Sequence, residues 1–453
     1  MNVIILVIDA LRLDHLSING YKRKTSPNID KLISEGTYFS NAYTVLPNTR
    51  PTFASMLTGI YPHSSGVRMV FGNKLKPGIS TLQAILKSHG YTTAYTKSDP
   101  HTDDGTEDGF DFCDPASLKI KNKIIRTCYK IFHPNSYMGM AEQQVNNVIG
   151  WIRKNAGKNF FVLMHTNDLH WPYLVPAPFQ EMFDPEYKGK HDFVTLSEGK
   201  MTRGELLFGH KRLPEEEIKH AIAHYDGGLR YVDEQIGRLM KFLEKNNLEE
   251  DTLVILMADH GENLGEHGYY FQHGEHLYNQ SLRVPLAFKN PKLIPKGKKI
   301  ASLVQSLDVM PTVLEMLNIP LIDDIDGVSL MPLIEGKIDH VREFAFIESV
   351  ENYFKENDRA FFDGVNGKWR AMISGKWKII YIPHPENSIF ELYDIENDPE
   401  EKNNLIDAEE EAAEEMKRKI LVYLKSQENE GIRDLESLEE KSKMLLRKLG
   451  YIN

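Results

Sequence analysis

Four stretches of the 453-residue chain combine residue types that do chemistry together. Asp9 closes the apolar run at residues 3–8, Asp168 follows the run 160–165, and Asp259-His260-Gly261 closes the run 252–258. Hard carboxylates and an imidazole brought together at the ends of neighbouring strands make an oxygen-and-nitrogen site suited to Zn, Mn, Mg or Ca. The remaining stretch, PNTRPTFASMLTGIYPH at 47–63, carries Thr49 in a Pro-bracketed loop that runs into a small-residue helix over 53–57, ending at Thr58-Gly59. A hydroxyl at a helix N-terminus is well placed, because the positive end of the helix and any bound cation both favour an alkoxide and an anionic substrate. Singly, Asp9 reads as a turn former and Thr49 as an N-cap; together the segments point to one place.

The elements that must position these residues are legible in the hydrophobic pattern. VIILVI, FFVLMH and TLVILMAD are continuous apolar runs without alternation, as expected of strands buried on both faces of a largely parallel sheet. Between them lie the helix-like stretches SPNIDKLISEG, ISTLQAILKSHG and DGGLRYVDEQIGRLMKFLEKN. Ser26-Pro27 opens one helix that Gly36 closes, and Ser80 and Gly90 bracket the next. Strands alternating with amphipathic helices predict a doubly wound α/β sheet, whose ligands bind at the carboxyl ends of the strands. After about residue 335 the texture changes to short strand-like pieces, KWRAMISG, KWKIIYI and ELYDIEND, which predict a small C-terminal antiparallel subdomain. The division is therefore a catalytic α/β domain at 1–335 and a subdomain at 336–453, with charged helices at 408–427 and 435–449.

Composition narrows the class. With 41% apolar and 26% charged residues the chain is an ordinary globular one. A net charge of −11, with no dense basic stripe beyond 119–130, argues against a nucleic-acid partner. The first apolar run is far shorter than the roughly 20 residues that span a bilayer, and no basic n-region precedes it, so a cytoplasmic protein without a transmembrane segment is expected. Two cysteines, Cys113 and Cys128, imply no disulfide framework. The terminal helices leave homo-oligomerisation open.

Six ordered blocks, IILVIDALRLDHL, P-x-T-x-P-T-x-A-S-M-L-T-G-x-Y-P-H, MADHGENLGEHG, HLYNQSLRVPL, SLDVMPTVLEML and ELYDIENDPEEKNNL, resemble the sulfatase branch of the alkaline phosphatase superfamily from end to end. That resemblance implies a divalent metal held by Asp9, Asp259 and His260, with Thr49 as fourth ligand and attacking group. It turns His170, in the H-x-P-Y segment, toward the substrate, and puts Lys97 where the family has the Lys of its G-K motif. His101 is the nearest candidate for that motif's His. His273 and His276 would contact the transferred or leaving group, or with Asp168 and His170 build a second metal site, which is left open. Arg12, Asp14 and Arg283 read as structural, and Trp171, Tyr173 and the insertion 180–215 as pocket walls.

Two departures bear on the reaction. The slot that in sulfatases holds a Cys or Ser converted to formylglycine holds Thr49, and Phe53 stands where the motif has its Arg; the family's paired aspartates reduce to Asp9-Ala10. A Thr nucleophile is similar to phosphodiesterase, phosphonate hydrolase-like and phosphoryl-transferring relatives. A formylglycine hydrate expels sulfate by re-forming its carbonyl, whereas a Thr ester must be cleared by a second attack on the central atom, which suits phosphoryl chemistry. The expectation is a hydrolase acting on an anionic phosphate or phosphonate ester. A sulfuric ester hydrolase without formylglycine, a phosphoryl-group transferase and a non-catalytic family member are the alternatives.

Overall fold

The first apolar run forms β1 (Asn2–Ile8) in the middle of a nine-stranded sheet. The structure, a computed structural model, describes residues 1–68, 73–97, 104–113, 140–187, 213–350, 368–384 and 387–427. The basic stretch 119–130 with Cys128, His101, most of the 180–215 insertion and the helix expected at 435–449 lie outside the described residues.

The other strands are β2 (Thr37–Tyr43), β3 (Thr92–Thr96), β4 (Phe112–Cys113), β5 (Phe160–Thr166), β6 (Thr252–Met257), the short hairpin β7 (Asn263–Leu264) and β8 (Tyr270–Gln272), β9 (Arg283–Lys289), β10 (Lys298–Ile300) and β11 (Val304–Gln305). The main sheet has the order β10-β2-β9-β6-β1-β5-β3-β4, with β11 also on β2. Only β9 opposes its neighbours in direction; β1 pairs in parallel with both β5 and β6. Helices α1 (Pro27–Ser34), α2 (Thr49–Thr58), α3 (Leu82–Ser88), α4 (Met140–Lys154), α5 (Glu215–Lys245) and α6 (Val309–Met316) cover the two faces. Ile4, Leu6 and Ile8 pack with α1, α4 and α5, while Val3, Ile5 and Val7 pack with α2, α3 and α6. Burial on both faces is why these strands read as unbroken apolar runs. The expected doubly wound, mostly parallel fold is the one observed.

Local helix starts were less legible than strands. Ser26 precedes α1 with Pro27 at its first position, yet its hydroxyl donates to Asp30 Oδ1, 2.8 Å away. The free amides of Asn28 and Ile29 instead donate to Asp233 of α5, both at 2.8 Å. The second expected start shifts by one residue, Thr81 rather than Ser80 preceding α3. Gly36 has a packing reason: a Cβ there would lie 2.2 Å from the carbonyl oxygen of Phe288 on β9.

A second sheet, order β12-β13-β14-β15, is antiparallel throughout: β12 (Ala345–Glu348), β13 (Arg370–Ser374), β14 (Trp377–Ile382) and β15 (Ile389–Asp394). Ala413, Met416, Ile420 and Leu421 of α7 (Glu410–Gln427) seal one face of it against Met372, Ile379 and Leu392. Its edge strand β12, which the sequence pattern did not single out, reaches the loops before Thr49 and after His273. Glu348 N donates to Val45 O (3.2 Å) and Val350 N to Gly274 O (2.9 Å).

A buried ion pair makes the second attachment. The Lys378 ammonium and Glu401 carboxylate are both fully buried, and Glu401 Oε2 also accepts from Asn279 N at 2.6 Å. Removing one partner leaves an uncompensated buried charge. Lys378→Met is therefore expected to lower the unfolding free energy by about 3–5 kcal/mol, read by chemical denaturation.

Candidate active site

Parallel pairing of β1 with β5 and β6 brings their carboxyl ends side by side, and the candidate residues gather there. Asp9 follows β1, its amide donating to Thr166 O at 2.9 Å. The chain then turns at Ala10 with φ of +58°, a conformation an L-residue adopts only when its surroundings enforce it. Ala10 N donates to Asp259 Oδ1 (3.3 Å), and the buried Tyr225 hydroxyl donates to Ala10 O (2.7 Å) while its own oxygen accepts from Arg12 N (2.8 Å). Arg12 is structural as expected: it spans Asp14, Glu266 and Glu262 O, tying the loop after β1 to the one after β6.

Asp259 and His260 are held by a close crossing of backbones. A Cβ on Gly261 would sit 2.0 Å from Gln280 O, so only glycine lets the segment pass. His260 Nδ1 lies 2.9 Å from Gly261 O. A carbonyl only accepts, so Nδ1 carries a hydrogen, and in the neutral ring Nε2 presents its lone pair. That Nε2 is 3.5 Å from Asp259 Oδ2, 3.6 Å from Asp9 Oδ1 and 3.3 Å from Thr49 Oγ1. Thr49 Oγ1 is also 3.5 Å from Asp9 Oδ2. Thr49 is itself the first residue of α2, whose start was expected four residues later. The nucleophile candidate thus sits on the positive end of the helix rather than in a loop before it.

These groups fit a cation. The ligand atoms of Asp9, Asp259 and His260 lie within 4.8 Å of one another, all buried. Asp9 Oδ1 and Asp259 Oδ2 have no hydrogen-bond partner among the described residues, an arrangement that costs heavily unless positive charge compensates it. Two carboxylates, an imidazole and a hydroxyl suit a divalent metal of hard or borderline character. Burial pushes the Asp259 carboxyl up, and the Asp9 charge adds to it. Burial acts the same way on Asp9, but the hydrogen bond to His165 and the charges of His260 and His170 more than offset it and hold Asp9 well below the usual carboxylate range. His260 is raised, Asp259 and Asp9 outweighing its burial.

The other expected residues divide. His170 and His273 join the cluster: His273 stacks on His260 with centroids 3.9 Å apart and meets His170 edge-on at 5.1 Å. His170 Nδ1 lies 2.8 Å from Trp171 O and His273 Nδ1 3.2 Å from Glu262 Oε1, so each ring donates from Nδ1. Burial and the charge of His260 lower His273 to about 4. Lys97, buried at the end of β3, gives its ammonium to Glu107 over the Tyr95 ring. His276 packs between Tyr269 (3.3 Å) and Trp369 (5.2 Å). Asp168 accepts the amides of Met140 (2.8 Å) and Ala141 (3.0 Å) at the start of α4. Arg283 holds a carbonyl, Ser40 O, at 2.7 Å instead of a carboxylate. Tyr173 is core and Trp171 stacks on Phe271 at 4.9 Å.

The sequence reading missed His165, whose Nε2 is 3.2 Å from Asp9 Oδ2 and 3.9 Å from Asp259 Oδ2. The available signal was that it ends the run on β5, the strand beside β1. Tyr225 and Glu262 had none, since their roles come from a distant helix and a loop crossing.

A family model described as Sulfatase matches residues 1–319. The chain belongs to the sulfatase family of ester hydrolases. A second model, N-sulphoglucosamine sulphohydrolase C-terminal, matches 265–429. The chain is 26% identical to an arylsulfatase of Clostridium perfringens over 96% of each protein. It is 24% identical to an N-acetylglucosamine-6-O-sulfatase of Bacteroides thetaiotaomicron, over 98% of this chain and 89% of that one. Among solved structures, the phosphonate monoester hydrolase of Agrobacterium radiobacter shares the fold with a TM-score of 0.76 at 19% identity, over 94% of this chain and 96% of that one. Among the described residues no helix is long and apolar enough to cross a membrane.

Two outcomes are expected. Asp259→Asn keeps an oxygen for the two backbone amides but removes a buried charge. It should weaken divalent-metal binding by roughly 100-fold or more and raise the melting temperature of the metal-free protein by about 2 °C, read by titration calorimetry and thermal scans. For His276, burial and then the charge of His267 lower the pKa from 6.5 to about 3. The folded state therefore keeps it neutral where the unfolded chain protonates it, so its contribution is full above pH 6.5 and is lost as pH falls toward 3. Between pH 7 and 4 His276→Phe should lose about 3 kcal/mol less stability than the parent protein, by urea denaturation at each pH.

Proposed function

We propose that this protein is a metal-dependent hydrolase that cleaves a phosphate or phosphonate ester through a covalent intermediate on Thr49. The observation that carries the reading is the hydroxyl of Thr49 at the first position of α2, 3.5 Å from Asp9 Oδ2 and 3.3 Å from His260 Nε2. Asp9, Asp259 and His260, with Thr49, would hold a divalent cation, which supplies charge neutralisation for the substrate oxygens and lowers the pKa of the hydroxyl.

Thr49 Oγ, on the positive end of its helix, attacks the central atom in line. Its bond to phosphorus forms as the bond to the leaving oxygen breaks, and the proton that the Thr49 hydroxyl gives up ends on that oxygen. Water then attacks the phosphorus, the phosphate or phosphonate departs, and Thr49 recovers its proton. His170 and His273, each donating from Nδ1, keep Nε2 to accept a proton from an attacking water. In this reading Lys97, bound to Glu107, and His276, in its aromatic wall, stand outside the reaction. A Thr ester has no carbonyl to re-form, so the intermediate must be one that a second attack clears, which favours phosphorus over sulfur.

A sulfate ester is the second reading, favoured by the relatives named arylsulfatase and N-acetylglucosamine-6-O-sulfatase. Transfer to an alcohol in place of water is the third, and added alcohols would reveal it as a transfer product. The test presents one aryl leaving group on sulfate, phosphate monoester, phosphate diester and phosphonate to the metal-reconstituted enzyme. The phosphodiester or phosphonate rate should dominate and fall roughly 1,000-fold or more in Thr49→Ala. A dominant sulfate rate that also depends on Thr49 would overturn the phosphoryl reading and establish the second.

A further inference from the structure

The two buried carboxylates divide their oxygens in the same way. In Asp259, Oδ1 accepts the backbone amides of Ala10 (3.3 Å) and His260 (2.9 Å), and Oδ2 has no hydrogen-bond partner among the described residues. In Asp9, Oδ2 accepts from Thr49 Oγ1 (3.5 Å) and faces His165 Nε2 at 3.2 Å, and Oδ1 is the one without a hydrogen-bond partner. Each carboxylate thus commits one oxygen to protein donors and turns the other toward His260 Nε2, 3.5 and 3.6 Å away. For Asp259 the donors are backbone amides that the turn itself supplies. For Asp9 the nearer donor is a side chain.

We propose that His165 is the positioning residue of the metal centre: its Nε2–H holds Asp9 Oδ2 and thereby fixes which oxygen of Asp9 meets the cation. The inference rests on the metal-dependent reading above and concerns a residue outside the ligand set.

An ionised carboxylate only accepts, so the ring nitrogen 3.2 Å away carries the hydrogen and has no lone pair to give a metal. His165 is also absent from the set whose ligand atoms lie within 4.8 Å of one another. The imidazole is well placed to orient rather than react. It is 1% exposed, its residue is registered against Val7 on the neighbouring strand, and Phe53, one turn after Thr49 on α2, meets the ring edge-on at 4.8 Å. The nucleophile helix thus braces the ring that orients the first carboxylate. Outer-shell partners of this kind are worth roughly 10–100-fold in metal affinity.

The experiment measures the Kd of Mn2+ for the metal-free full chain, by the loss of the free-ion paramagnetic resonance signal, with thermal unfolding of the metal-free proteins alongside. His165→Gln places an amide nitrogen near the position of Nε2; His165→Asn is too short to reach Asp9, and His165→Met has no donor. The expected result is a Kd within about threefold of the parent for Gln, and a rise of roughly 10–100-fold for Asn and Met, with similar metal-free melting temperatures in all three. Equal losses in Gln, Asn and Met would make His165 a lone-pair ligand and overturn the proposal, as would parent-like binding by Asn. Failure of the parent protein itself to bind Mn2+, with Asp259→Asn no different, would instead bring down the metal-dependent reading on which the proposal stands.

Discussion

Two carboxylates buried side by side at the ends of adjacent parallel strands are the constraint around which the rest of the structure is arranged. Asp9 and Asp259 are both buried, and there each charge raises the free energy of the other. The fold answers with donors placed at fixed points: amides of a turn held at positive φ, and the ring of His165. It still leaves one oxygen of each acid without a hydrogen-bond donor among the described residues. A site of this kind stores unfavourable electrostatics in the metal-free protein, and a divalent cation converts them into binding free energy.

The parallel sheet is what makes that arrangement available. In a parallel pair the carboxyl ends of neighbouring strands lie on the same edge, so side chains separated by about 250 residues become neighbours without any long loop having to find its place. The helices on both faces supply the rest: α2 presents Thr49 on its positive end, and α5 sends Tyr225 up to hold the turn after Asp9. The C-terminal sheet joins through β12, whose end lies against both the loop before Thr49 and the loop after His273. The second sheet thereby borders the loop that leads to Thr49 as well as adding a core of its own.

Interactions that cross between elements also replaced several local ones. Asp233 rather than Ser26 serves the amides that open α1, and Asp168 serves those that open α4. Asp168 looked like a metal-site residue because it follows a buried strand, but a carboxylate near a strand end has two sinks available, a cation or the positive end of a helix. Which one it meets depends on where the helix is delivered, and a single sequence does not carry that.

Legible in the chain alone were the strand core, the doubly wound class, the second sheet and the convergence of Asp9, Thr49, Asp259 and His260. Those properties are written in unbroken apolar runs and in residue types at their ends, both of which follow from burial and strand period. Packing alone settled that His273 stacks on His260 and meets His170 edge-on, while Lys97 is bound by Glu107 and His276 goes to an aromatic wall. These outcomes turn on side-chain direction and on the approach of segments far apart in the chain. His165 shows the boundary most plainly: its place at the end of an apolar run was visible, but its hydrogen bond to Asp9 exists only because β5 lies beside β1, and neighbour order in a sheet is decided by packing.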